Sequence, residues 1–241
     1  MMPTLILSIA LFCAGACRAQ ELVFAISTGS AMPMTEFAGG GLSGGLLRDF
    51  GDDLAARLNL TPRYRLVPRK RVEETLQSGR ADIVCDLRPE WLDYKGYLWS
   101  SAIFTNNMIV ATRTDTRPPQ SLRDLRGARL GTIRGYRYPE IDAAIGSAYV
   151  RDEAASDDAN LAKLILRRFD YLVTNSLHFN YARIVHPSRQ QLQPASLKIR
   201  SFDTYCAIKP DGKLTIHRLN HSVDSMHKDG AIERMMKRYR P

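Results

Sequence analysis

The sequence predicts an α/β protein built from two similar units in series, and three observations carry that expectation. Strand, helix, strand, helix, strand follow one another up to Cys85, the rhythm of a parallel sheet covered by helices. The same alternation restarts at Met108 and runs to about residue 204. A return strand and two helices then close the chain.

Glu21 to Ser27, ELVFAIS, has the apolar density of a buried strand, and a loop rich in Gly, Met and Ser follows it from Met32-Pro33-Met34 to Gly39-Gly40-Gly41. Leu46, Leu47, Phe50, Leu54 and Leu58 recur at helical spacing with Asp52 and Asp53 on the wet side, so LLRDFGDDLAARLNL is an amphipathic helix. TPRYRLVP is a second strand. Val72 to Gln77 is a short helix, and Gly79 suits the left-handed position that ends it. ADIVC is a third strand, after which the chain turns abruptly polar at Arg88, Pro89, Glu90 and Trp91.

In the second unit MIVATR is a strand, and SLRDLRG is a short helix with Ser121 as cap and Asp124 at the capping-box position. ARLGTI is a strand running into Arg134-Gly135-Tyr136, and PEIDAAIG opens a helix with Pro139 in its first turn. ANLAKLILRRF is a helix preceded by the cap candidates Ser156, Asp157 and Asp158. DYLVTN is a strand, SLHFNYARIV a helix, and SLKIRSF and YCAIKP are two further strands. Two helices finish the chain, separated by Gly230. In open parallel sheets of this kind, ligands sit beyond the carboxyl ends of strands, where loop amides and helix N-termini converge. Arg88 and Trp91 emerge at such an end.

With 241 residues, 44% hydrophobic and 24% charged, the chain can bury a full core. Its first twenty residues hold an apolar stretch from Leu5 to Ala16 followed by small residues, the layout of a secretory signal peptide, with cleavage expected after Ala19. Lipidation at Cys17 is the less favoured alternative. The stretch is shorter than the ~20 residues that span a bilayer. Losing the leader removes Arg18 and no acid, so the net charge drops from +9 to +8. Lys and Arg are scattered apart from Arg63 to Arg71 and the tail Lys237-Arg238-Tyr239-Arg240, which describes a solvated basic surface rather than a nucleic-acid site.

Cys85 and Cys206 remain after cleavage, and an exported chain makes a disulfide between them the default, two separate buried thiols being the alternative. No metal or cofactor is expected. His217 and His221 stand at i and i+4 with no HExxH and no nearby cysteine, as on an exposed helix face. The pairs Glu73-Glu74 and Asp157-Asp158 read as surface and capping residues.

The succession GGLLRDFGDDLAARL, RLVPRKRVEETLQSGRADIV, YLWSSAIFTNNMIVATR, SLRDLRGARLGTIRGYRYP, FDYLVTNSLHF and YCAIKPDGKLTIHRLNHSV resembles the type II periplasmic solute-binding proteins, typified by the amino-acid-binding subunits of ABC importers. The resemblance covers Glu21 to Tyr239. It implies two α/β lobes, each a mostly parallel sheet flanked by helices, joined by a two-strand hinge and closing over a small solute. The divisions it implies are a signal peptide over 1–19, a first lobe over 20–107, a second over 108–204, and a return strand with closing helices over 205–241. The family's carboxylate-binding Arg aligns with Trp91, three residues after Arg88, and its ammonium-binding Asp aligns with Asn175. Thr132, Arg134, Gly135 and Tyr136 match the family's second-lobe loop, and Ser30 and Met32 the region of its aromatic platform.

The expected site is therefore Ser30, Met32, Arg88, Trp91, Thr132, Arg134, Gly135, Tyr136 and Asn175. Arg88 and Arg134 would meet a carboxylate from opposite lobes, because the guanidinium fork matches two acceptor oxygens. The expected function is an exported, monomeric, non-enzymatic binding protein. It would deliver a small polar, carboxylate-bearing solute, amino-acid-like or an organic acid, from the periplasm to an ABC permease. The alternatives are an enzyme on the same fold, resembling cyclohexadienyl dehydratase, and a ligand-sensing module for a membrane receptor.

Overall fold

A computed structural model describes residues 20–239. The leader and the Cys17 reading lie outside the described residues. In the first half, β1 (Glu21–Ser27), the hairpin β2 (Glu36–Ala38) and β3 (Gly41–Gly44), α1 (Leu46–Arg57), β4 (Thr61–Val67), α2 (Arg69–Gln77), β5 (Ile83–Leu87) and β6 (Leu98–Trp99) follow in order. Then come β7 (Phe104–Ala111), β8 (Arg129–Ile133), α3 (Pro139–Ile145), β9 (Val150–Ala154), α4 (Asp157–Ile165), β10 (Tyr171–Asn175) and α5 (Ser176–Val185). The long strand β11 (Leu197–Ile208) returns, and α6 (Ile216–Lys228) and α7 (Ala231–Arg238) close the chain.

Hydrogen-bonded strands run in the order β4-β1-β5-β11-β7-β10-β8-β9. In one half β1 pairs parallel with β4 and β5, and in the other β8 pairs parallel with β9 and β10, so each half places its first parallel strand between its second and third. β11 belongs to both: it pairs antiparallel with β7 from Leu197 to Thr204 and with β5 from Tyr205 to Ile208. The chain thus crosses between two lobes through β7 and β11, the expected two-strand hinge. SLKIRSF and YCAIKP, expected as separate strands, are this one strand of twelve residues. The turn signals needed to break it are missing, since the intervening Asp203 and Thr204 pair with Thr105 and Phe104.

Each lobe has a core on both faces of its sheet because strand side chains alternate. Leu22, Phe24 and Ile26 of β1 pack with α1, α6 and α7, whereas Ala25 faces Val72 and Leu76 of α2. In the second lobe Met108 and Val110 pack with Ile141 and Ile145 of α3, and Ile109 and Ala111 with Leu161, Leu164 and Phe179 of α4 and α5. Burial on both faces is why these strands read as continuous apolar runs. Gly79 sits at φ 70° after α2 and Gly230 at φ 73° between α6 and α7, as their positions in the sequence required. Among the described residues no helix is long and apolar enough to cross a membrane.

Cys85 of β5 and Cys206 of β11 form a disulfide across neighbouring strands. The pairing there is irregular: β11 advances two residues, from Tyr205 to Ala207, while β5 advances three, from Leu87 to Val84. One extra residue therefore bulges from β5, and Asp86 within it adopts φ 58°. The bond closes a separation of 121 residues. Cys85→Ala with Cys206→Ala should lower the unfolding free energy by about 2–4 kcal/mol in denaturant titrations; an unchanged midpoint would mean that the strand pairing alone holds this junction.

Candidate ligand-binding site

Between the lobes lies a cavity of about 100 Å³, walled by the carboxyl ends of β1, β5, β8 and β10, the first turns of α2 and α4, and the hinge strands. This is the position where an open parallel sheet gathers its functional loops. At roughly 10–15 Å³ per water, it has room for several water-sized groups or one small solute.

The first lobe contributes Ser27, Ser30, Arg69, Asp86 and Trp91. Arg69 opens α2, whose first turn carries Arg69, Lys70 and Arg71 and no acid, against the preference of a helix N-terminus for negative charge. Its guanidinium donates to the Trp91 carbonyl at 3.0 Å and lies 6.0 Å over the Tyr136 ring. No carboxylate pairs with it among the described residues, and burial works against its charge. Asp86 is turned into the cavity by the bulge; Asp is one of the few side chains that tolerate the left-handed region. Burial pushes its carboxyl from the ordinary 3.8 up to about 7, with the charge on Asp157 adding and the Thr204 hydroxyl opposing. Trp91 stands edge-on to Phe202 at 5.5 Å, and its indole N–H is buried with no protein acceptor.

The second lobe contributes Tyr136, Tyr138, Asp157, Thr174 and Asn175. The Tyr138 hydroxyl accepts from the Ile133 amide at 2.9 Å and pins the loop after β8. Ser156 caps α4 by accepting from the Ala159 amide at 3.2 Å, which sets Asp157 in the first helical turn facing the cavity. Asp157 is buried, and burial raises its carboxyl; the Thr174 hydroxyl at 3.4 Å is its side-chain partner. Asn175 caps α5, its Oδ1 accepting from the His178 amide at 2.9 Å and from Asn106 at 3.3 Å.

Both lobes touch around the cavity. The Asp157 amide donates to the Gly29 carbonyl at 3.0 Å, and His178 Nδ1 donates to the Met32 carbonyl at 2.8 Å. Arg137 pairs with Asp93 across the gap. Gly135, at φ 82°, leaves no room for a side chain: a Cβ there would fall 2.8 Å from Lys70 Cγ.

Of the nine expected site residues, Ser30, Trp91, Tyr136 and Asn175 line the cavity. Gly135 and Met32 lie at the contact between lobes rather than on its wall. Thr132 is buried in β8 with its hydroxyl unpartnered. The two arginines expected to meet the solute are placed differently. Arg134 follows Ile133, which faces the cavity, so strand alternation turns Arg134 outward; it is 61% exposed and 3.9 Å from Glu153. Arg88 is buried, pairs with Glu90, lies 3.8 Å from Glu140 of the other lobe, and sits over Trp91 at 5.6 Å and Phe202 at 5.1 Å. It buttresses the aromatic wall from behind. Two cationic side chains line the cavity, Arg69 of the basic run from Arg63 to Arg71 and Arg137, which is paired with Asp93, and neither was among the expected site residues. Asp86 and Asp157 line it as well, and neither was among the expected site residues. His217 and His221 line a separate surface hollow with Arg57 and Arg218, and no metal-holding cluster occurs among the described residues.

No protein-family model matches the chain, and no curated protein does. Solved structures do. An arginine third transport system periplasmic binding protein from Legionella pneumophila is 17% identical, with 92% of this chain and 100% of that chain covered and a TM-score of 0.77. The ancestral amino-acid-binding protein AncCDT-1, a precursor of cyclohexadienyl dehydratase, is 16% identical over 93% and 96% of the two chains, also with a TM-score of 0.77. The GluR0 ligand-binding core in complex with L-glutamate is 13% identical over 94% and 100%, again at 0.77. At such identities the likeness speaks for architecture: two α/β lobes hinged by two strands, the fold of the type II periplasmic binding proteins.

Proposed function

We propose that the protein is a periplasmic solute-binding protein that closes its lobes over a small amino-acid-like solute for delivery to an ABC importer. The observation that carries this is a cavity between the lobes whose wall holds charge of both signs with no ion-pair partner among the described residues, Arg69 and Asp86 from the first lobe and Asp157 from the second. Charges withdrawn from water are unfavourable unless paired, so a solute bringing a carboxylate to Arg69 and an ammonium to the acids supplies partners that the protein does not. Each lobe supplies part of the contact, so the closed state binds what the open state cannot, and the solute shifts the population toward closure. The solved structures of similar shape point the same way, being described as transport binding proteins and as amino-acid-binding proteins.

One observation favours a second reading, an enzyme on this fold. A carboxyl group held near 7 is matched to proton transfer at neutral pH. Turnover of a cyclohexadienyl acid by the purified chain would establish that reading in place of binding.

In thermal-shift measurements on the chain without its leader, amino acids should raise the melting temperature and simple organic acids should not. For any amino acid that binds, Arg69→Ala should weaken affinity by about 1.5–3 kcal/mol, and equal affinity would remove Arg69 from the site. Gly135→Ala should weaken affinity as well and lower the stability of the ligand-free protein by about 1 kcal/mol, because Ala is strained at φ 82°. Asp86 has a sign that can be checked without ligand. Folding takes up a proton at Asp86 between about pH 4 and 7, because its carboxyl is raised only in the folded state. Its contribution is therefore present at acid pH and lost as pH rises through about 7. Asp86→Asn should flatten this loss and leave the ligand-free protein several degrees more stable than wild type at pH 8, read by calorimetry.

A further inference from the structure

We infer that Asp86 and Asp157 together select a solute of net positive charge, an amino acid whose side chain carries a second cationic group, with Asp86 held to this task by the disulfide-locked bulge of β5. The inference deepens the proposed function and rests on it.

The charge balance of the cavity wall carries the argument. Four charged side chains reach the wall: Arg69, Asp86, Arg137 and Asp157. Arg137 is half-exposed and already paired with Asp93 outside the cavity. What remains is one guanidinium facing two carboxylates. Neither carboxylate has an ion-pair partner among the described residues, and Asp157 is only 6% exposed. A neutral zwitterion would place its carboxylate on Arg69 and its ammonium on one acid, leaving the other acid with no ionic partner and favoured by burial in its neutral form. A second cationic group on the solute removes that deficit. Asp86 and Asp157 line the same cavity, one from each lobe.

The backbone shows that Asp86 is aimed and not incidental. An uninterrupted β5 would alternate its side chains between the two cores, and the extra residue breaks that alternation at Asp86. Cys85, its neighbour, also lines the cavity and is bonded to Cys206, so the register between β5 and β11 cannot slip past the bulge. On the opposite wall Asp157 lies in the first turn of α4, where the partial positive charge of the helix end favours an ionised carboxylate. The arriving cation then draws Asp86, poised near neutrality by burial, into its charged form.

The test is calorimetric titration of the disulfide-intact chain with α-amino acids of graded length in three charge classes. The basic set is 2,4-diaminobutyrate, ornithine, lysine and arginine. The neutral set is alanine, glutamine and citrulline, and the acidic set is aspartate and glutamate. The tightest basic ligand should bind at least about tenfold more tightly than the tightest neutral or acidic one. Asp86→Asn should cut the affinity for that basic ligand at least about tenfold while neutral ligands lose little, bringing the ratio toward one. Asp157→Asn gives an independent second measurement of the same ratio should Asp86→Asn not fold. Neutral or acidic amino acids binding as tightly as basic ones would overturn this inference and leave the proposed function standing. A ratio unmoved by both substitutions would overturn it equally. If amino acids of all three classes failed to bind, the proposed function would fall and this inference with it.

Discussion

β11 is hydrogen-bonded into both lobes, and most of what distinguishes this molecule follows from that shared strand. Its first eight residues pair with β7 and its last four with β5, so the two sheets cannot be positioned independently. The junction is where the register breaks, where the disulfide sits and where Asp86 is turned toward the cavity. A strand that stayed regular through this point would have kept its alternation and left the floor of the cavity uncharged. The same strand brings Phe202 up against Trp91, so it shapes the aromatic side of the cavity as well.

Several local rules are broken where the chain lines the cavity, as functional sites often require. Other helix ends are conventional, at the cavity and away from it: Ser156 and Asn175 cap α4 and α5, and Gly230 separates α6 from α7. α2 instead begins with three basic residues at its positive end. Asp86 holds a strained backbone, and Asp157 holds a carboxylate out of water. Each departure works against the empty protein.

The architecture was legible because long apolar runs bounded by glycines and caps report two-sided burial directly, and helices α1, α3 and α5 lie where their periodicity placed them. The elements that escaped notice have weak signals. β9 is an edge strand with charged residues at three of its five positions, and β2 with β3 form a small exposed hairpin in a glycine-rich loop. The site was legible only in part. Which residues stand near the strand ends can be read from position, but direction cannot: Arg134 was close and points away, because alternation gives that side to Ile133. Arg69 hid inside a basic run that looked like solvated surface, and its violation of the helix-end preference was the available clue. Asp86 depended on a one-residue bulge set by pairing with a strand 120 residues distant, which no local pattern encodes.

The chain has two tryptophans, and they lie in very different settings. Trp99 is paired into the sheet beside β11, whereas Trp91 forms cavity wall, with Arg88 stacked over it and an indole N–H that has no protein acceptor. A guest between the lobes meets the Trp91 indole on the cavity wall, whereas Trp99 is not part of that wall. The molecule therefore carries a native optical reporter at the cavity, since indole emission follows the polarity of its surroundings and no dye need be attached.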